Sequence, residues 1–123
     1  MKDCYSTGNV KSNSTNFMAY AGGLIGSCDG SIINCFATGD VLSKGSNEVY
    51  SRNGGVIGYS GDTCIIENVY RSNTQVLTRY TTVSASYNKD GVSDSISNIK
   101  TSMELLWNNS VWRFDKSYPL FKR

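Results

Sequence analysis

Gly22-Gly23-Leu24-Ile25-Gly26 and Gly54-Gly55-Val56-Ile57-Gly58 decide the reading of this chain, because one five-residue pattern returns after 32 positions. The blocks around it return as well. Cys4-Tyr5-Ser6-Thr7-Gly8-Asn9-Val10 comes back 31 positions later as Cys35-Phe36-Ala37-Thr38-Gly39-Asp40-Val41. Ile32-Ile33-Asn34-Cys35-Phe36 comes back 34 positions later as Ile66-Glu67-Asn68-Val69-Tyr70. A period of this size marks a repeat architecture, in which one unit cannot bury its apolar face and its neighbours must do so. About three copies are readable, and the third loses both its Gly-Gly-x-Ile-Gly block and its Thr-Gly after Tyr70.

The repeated segments carry β-branched residues and glycine turns instead of a 3.6-residue period, which disfavours stacked helices. Leu24-Ile25 and Val56-Ile57, bounded by glycine, suit short buried strands. The expected fold is therefore all-β: a parallel β-helix or β-solenoid of about three coils, each of about three strands, with a short C-terminal helix-and-strand cap. Parallel in-register stacking would turn Tyr5, Phe36 and Tyr70 into an aromatic ladder and Asp3, Asn34 and Asn68 into a carboxylate-amide ladder, with a rise of ~4.8 Å. Gly8 and Gly39 align with Asn73, and both residue types tolerate positive φ, so this position is predicted to be a left-handed turn. Because Glu67 and Arg71 flank Val69, strand alternation predicts that Ile32, Asn34 and Phe36 point inward.

Serine, glycine, asparagine and threonine make up 51 of the 123 residues, a composition of turns and ladders. The formal net charge is +2 and 18% of residues are charged, so no electrostatic case exists for nucleic acid or an anionic membrane. No run approaches the ~20 apolar residues of a membrane helix. Histidine is absent, which removes the commonest general base and zinc ligand. Met1-Lys2-Asp3-Cys4-Tyr5 has no apolar signal-peptide core. The chain opens inside a repeat, so it is expected to be a segment of a longer protein, with Met1 an added start and any export signal upstream.

Residues 74–87 are read as one or two strands, with Val76, Leu77, Tyr80 and Val83 available to pack, and Asn88-Lys89-Asp90-Gly91 as a turn. Ile96, Ile99, Met103 and Leu106 then mark one face of a short helix, with Ser95 or Ser97 as its cap and Asn108-Asn109 as its end. Val111 to Phe114 is a strand, and Pro119 suits a final cover. The division is thus 1–92 for the repeats and 93–123 for a cap over the exposed strand edges. Nothing comparable covers Cys4 to Val10, so end-to-end pairing of two copies through this first coil is expected.

The Gly-Gly-x-Ile-Gly blocks, the Ile-x-Asn-(Cys/Val)-aromatic blocks and the Cys-aromatic-x-Thr-Gly-(Asn/Asp)-Val blocks resemble the GLUG repeat across roughly residues 3 to 72. Residues 73 to 95 depart from it. Trp112 to Leu120 also looks like the segment that often closes such arrays. The resemblance implies a bacterial secreted or surface-attached protein, adhesin-like or associated with IgA-specific metallopeptidases, and hence an extracellular or cell-surface location.

Candidate chemistry is sparse. Cys4, Cys28, Cys35 and Cys64 show no zinc-ribbon spacing. Cys4 and Cys35 align with Val69, which reads as an apolar slot holding free thiols in preference to a bridge between stacked neighbours, and a Cys28–Cys64 bridge is possible but unsupported by the repeat. Asp29, Asp40 and Asp62 read as turn formers, not as a glycosidase pair. Ser86, Asn88, Asp90 and Gly91 imitate part of a calcium loop, but Lys89 lies inside it and Ser97 takes the closing position. Asn13-Ser14-Thr15 and Asn108-Asn109-Ser110 are sequons without evident meaning in a bacterial chain. Tyr20, Tyr50, Tyr59 and Tyr80 could line a sugar-binding face or pack structurally. The expectation is a non-catalytic structural and interaction module with no catalytic, metal or cofactor residues and no cofactor, whose partner is a host-surface protein or glycan. The competing reading is a carbohydrate-binding or carbohydrate-active β-helix.

Overall fold

The computed structural model describes residues 1–83, 90–108, 110–114 and 119–121. The first copy of the repeat supplies β1 (Tyr5–Ser6), β2 (Val10–Asn13), β3 (Ala19–Gly22) and β4 (Ile25–Cys28). The second supplies β5 (Ser31–Ala37), β6 (Val41–Lys44), β7 (Ser51–Gly54) and β8 (Ile57–Ser60). Each of these copies thus has four strands instead of the expected three, because the Gly-Gly corner separates two short ones. The third copy contributes β9 (Ile65–Ser72) and β10 (Leu77–Arg79), followed by β11 (Thr82–Val83) and β12 (Val92–Asp94). Helix α1 (Ile96–Leu106) and the hairpin β13 (Trp112–Arg113) and β14 (Leu120–Phe121) complete the described chain. Residues 84–87 of the region read as strands, Asn88 and Lys89 of the expected turn, Asn109, and residues 115–118 of the closing segment lie outside the described residues.

The described residues are mostly β, with parallel sheets and one short helix. Strands stack in the orders β1-β5-β9-β12, β2-β6-β10-β11, β3-β7 and β4-β8. All of these pairings are parallel except that of β10 with β11. The register joins repeat-equivalent residues: Tyr5 to Phe36 to Tyr70, Val10 to Val41 to Leu77, Gly22 to Gly54, and Ile25 to Ile57. Among the described residues the third copy adds no strand beside β7 or β8.

The Gly-Gly corners are places of close backbone approach. A Cβ on Gly22 would run into the Ile25 carbonyl and lie 2.7 Å from the Val56 carbonyl oxygen. A Cβ on Gly23 would strike the Gly55 carbonyl and come within 2.8 Å of the Ala37 Cβ. The same closeness lets the Val56 carbonyl accept from both the Leu24 and Ile25 N–H groups, at 3.0 and 3.1 Å.

The left-handed position is not where the glycines suggested it. No described glycine has positive φ; Asp3, Asn34 and Asn68 do, at 53°, 55° and 51°. Asparagine and aspartate reach this region more readily than other side chains, because a short polar group can bond locally. The bend breaks strand alternation, so the predicted inward face of Ile32, Asn34 and Phe36 is corrected. Ile32, Cys35 and Ala37 join Cys28, Val56, Ile57 and Val69 in the interior cluster. Phe36 faces the opposite side, against Ile99, Met103, Trp107 and Phe114.

Ser95 caps α1 by accepting from the Asn98 N–H, as one of the two expected caps. Of the predicted face, Ile99 and Met103 are buried, while Ile96 and Leu106 sit at its margins. Trp107 at the helix end takes their place and donates its indole N–H to the Asn34 carbonyl at 2.7 Å. The Tyr5 hydroxyl donates to the Pro119 carbonyl at 2.6 Å. The helix and hairpin therefore cover the outer face of the aromatic ladder, where Tyr5 and Phe36 stack at 5.2 Å with planes 10° apart. β12 instead continues the first sheet beyond β9, pairing with Tyr70–Ser72.

Replacing Gly23 by valine should lower unfolding stability by about 1–3 kcal/mol, because the clash is with the Gly55 backbone; Gly55→Val should cost less, because the added Cβ meets the Gln75 and Arg71 side chains, which can give way. Urea melts check this, and an unchanged midpoint in both variants would contradict the close-approach account.

Candidate functional site

The strongest cluster of side chains with recognition chemistry lies on the outer face of β3, β7 and β8. Ala19, Ala21, Ser51 and Asn53 point into the core. Alternation therefore puts Tyr20 and Arg52 outside, where they are register partners. Tyr59 reaches the same surface from β8 and stacks on Tyr20 at 5.6 Å, with planes 16° apart. The Arg52 guanidinium lies 4.5 Å from the Tyr59 ring centre and 5.8 Å from that of Tyr20. The Tyr20 hydroxyl donates to the Met18 sulfur at 3.4 Å. Just ahead of β3 and β7, Phe17 and Tyr50 stack at 5.3 Å, and Phe17 is 61% exposed.

Of the four tyrosines singled out in the sequence, the fold joins Tyr20 with Tyr59, sets Tyr50 against Phe17, and leaves Tyr80 under the Lys44 ammonium at 5.8 Å. Arg52 and Phe17 were not singled out. The alternation of Tyr50 and Arg52 at i and i+2 was the signal that could have found the arginine. Stacked rings beside a guanidinium can hold a sugar ring by C–H contacts and hydrogen bonds, and they also stabilise the surface itself by about 0.5–1.5 kcal/mol per ring pair.

The carboxylates serve the backbone. Asp90, expected in a simple turn, is 8% exposed. It accepts from the N–H groups of Gly55, Val56 and Ile57 at 2.6, 2.8 and 2.7 Å. It thus stands where a further layer would place a carbonyl, as Val56 does for Leu24 and Ile25. Arg71 adds an ion pair at 3.7 Å. Asp40 accepts from the Val76 N–H at 2.8 Å, just as Asn9 accepts from the Asp40 N–H at 2.9 Å. Asp29 and Asp62 flank the turn after the Gly-Gly blocks, where the Thr63 hydroxyl donates to the Asp29 carbonyl. Asp90→Asn would turn an –NH2 toward the Gly55 N–H and leave a buried donor unmet. We expect a loss of about 2 kcal/mol in chemical denaturation, and equal stability would show that the carboxylate does not hold this corner.

The cysteines separate into two kinds. Cys28 and Cys64, 36 positions apart in the chain, form a disulfide with Cα atoms 5.7 Å apart, a bridge that the sequence left possible but unsupported. β4 carries Cys28 to the loop that precedes β9, where Cys64 waits one layer on; the repeat shift gave no hint of this, because the two are not equivalent positions. Cross-linking a loop of this length is worth about 2–4 kcal/mol. Cys4 and Cys35 are free thiols in the stacked slot. Burial pushes the Cys35 thiol above its ordinary value of 9.0, against hydrogen bonding to the Cys4 and Ile33 backbone, which lowers it. Folding therefore favours the neutral thiol; this contribution is intact below pH 9 and is lost as pH rises further. Native protein treated with iodoacetamide at pH 8 should be modified at Cys4, with Cys35 reacting only after unfolding. Equal labelling of both would refute the buried assignment.

Among the described residues no group of three or more His, Cys, Asp or Glu side chains is placed to hold a metal. Likewise, no described helix is long and apolar enough to cross a membrane. No curated protein matches the sequence. A solved structure, that of a candidate immunoglobulin A1 protease from Bacteroides ovatus, superposes with a TM-score of 0.56 at 18% identity. The match covers 98% of this chain and 57% of that one, so this chain spans a little over half of its length. At that identity the likeness is one of fold. Residues 19–42, from the start of β3 into β6, match the family model of the GLUG motif, so the chain carries a GLUG repeat of the kind found in bacterial proteins.

Proposed function

We propose that this chain is a stretch of β-solenoid serving as a non-catalytic structural and interaction module of a secreted or surface-attached bacterial protein. The observation that carries this reading is the layer-by-layer stacking of equivalent residues, Tyr5 on Phe36 and Asn34 on Asp3. Such stacking makes a rigid spacer whose length scales with copy number. In this reading residues 1–92 form the body and residues 93–123 its cover. The disulfide supports an oxidising location outside the cytoplasm. The Bacteroides ovatus neighbour carries a protease name; within a protein of that kind, a chain without histidine would supply distance and contact surface instead of peptide hydrolysis. The partner would be a host-surface protein or glycan. The first coil offers a further contact, since β1, β2, β3 and β4 each have a strand partner on one side only among the described residues. Such an edge accepts a further parallel layer, from preceding chain or from a second copy of this one paired end to end.

A second reading, carbohydrate binding, is favoured by the Tyr20, Arg52 and Tyr59 stack with Phe17 and Tyr50 beside it. Glycan arrays and hydrolysis assays on the parent chain and on Tyr20→Ala and Tyr59→Ala separate the two. The structural reading expects blank arrays and no turnover. A glycan signal lost in both variants at unchanged melting temperature would move the function to the aromatic face. Turnover of a polysaccharide or peptide by the purified chain would overturn the non-catalytic reading.

A further inference from the structure

The outer face of the first sheet and the start of α1 enclose a cavity of about 210 Å³. Its floor is Phe36, Ile99 and Pro119, all nearly withdrawn from solvent. Its rim carries Thr7 and Thr38, the equivalent threonines of the two Thr-Gly dipeptides, together with Ile96 and Lys100 of the helix. Among the described residues neither threonine hydroxyl has a hydrogen-bond partner, and the Lys100 ammonium forms no salt bridge. An apolar cavity of about 150 Å³ is dry and accepts a benzene ring. The volume here admits one ring or a branched chain with a short tail. Among the described residues the polar side chains that line it are Lys100, Thr7 and Thr38, with no carboxylate, so they complement a head group that only accepts and carries negative charge.

We propose that this cavity is a binding site for small apolar carboxylates, with the ring or branched chain against Phe36 and Ile99 and the carboxylate at Lys100, Thr7 and Thr38. Such a group can come from a free acid or from the C-terminal residue of a peptide; the chemistry is shared, and the probes tell the sources apart. The site is independent of whether the aromatic face on β3, β7 and β8 binds glycans.

The test is an NMR titration of the full ¹⁵N-labelled chain with 3-phenylpropionate, N-acetylphenylalanine and 3-phenylpropanol. The expected result is saturable shifts at Phe36, Thr38, Ile99 and Lys100 with phenylpropionate, and binding of the alcohol weaker by about three- to tenfold. Lys100→Gln should bring the acid down to the alcohol's affinity. Thr38→Phe, checked for an unchanged melt, should block both. Binding of N-acetylphenylalanine as tight as that of phenylpropionate assigns the site to peptide C-termini, and its exclusion assigns it to free acids. No saturable shifts with any probe, shifts centred elsewhere, equal binding of acid and alcohol, or undiminished binding by Lys100→Gln would each overturn the proposal.

Discussion

At Asn34 and Asn68 inside β5 and β9, and at Asp3 just ahead of β1, the backbone turns left-handed, so the side chains before and after the bend face different compartments. Ile32 and Cys35 thereby both enter the interior, while Phe36 is delivered to the outside. The bend also presents the Asn34 carbonyl to the Trp107 indole, which anchors the C-terminal helix. The side chains at the bend then bond upward through the layers. Asn34 donates its amide N–H to Asp3 at 3.2 Å, and Asn68 donates to Asn34 at 3.1 Å. Because a carboxylate only accepts, Asp3 sets the polarity of the whole amide ladder: each asparagine must turn its –NH2 toward the N-terminal layer. Local backbone geometry, the division into two cores and the docking of the helix thus follow from one residue per copy.

A stack of parallel strands must also stop somewhere, and buried N–H groups at its last layer need partners. At the Gly-Gly corner the carboxylate of Asp90 supplies them, meeting three successive N–H groups that a repeat carbonyl would otherwise meet in pairs. Gln75 supports the same corner by donating to the Gly39 and Gly55 carbonyls. Side chains thus close with their own acceptors and donors a lattice that the repeat opens with backbone. The disulfide ties the second layer's loop to the first at the turn between β8 and β9, the next corner along the chain from the one Asp90 holds.

The surfaces left for recognition are those that stacking does not consume. Tyr20, Arg52 and Tyr59 point outward from β3, β7 and β8, so this face carries rings and a guanidinium at no cost to the core. The cavity under α1 arises because a helix laid across a pleated sheet cannot fill every space beside the ring ladder. Both sites lie on side faces, where neighbouring layers give them a fixed spacing; neither depends on the strand edges.

The repeat, the strand class, the ladder partners and the helix with its Ser95 cap were legible in the chain itself, since periodicity and capping are local signals. The pairing of Tyr5, Phe36 and Tyr70 followed from counting positions, and the coordinates place them as neighbours. The direction of Asn34 and Phe36 was not legible, because alternation assumes an unbroken strand and a single positive φ reverses it. Asp90 looked like a turn residue since its partners, Gly55 to Ile57, lie more than thirty residues away. The Cys28–Cys64 bridge escaped for a related reason: the two cysteines occupy different repeat positions, and only the layer offset brings them together. The sequence alone determined what stacks on what, through residue type and period; the tertiary structure alone decided which side each residue faces and what closes the last layer, because those depend on contacts between distant segments.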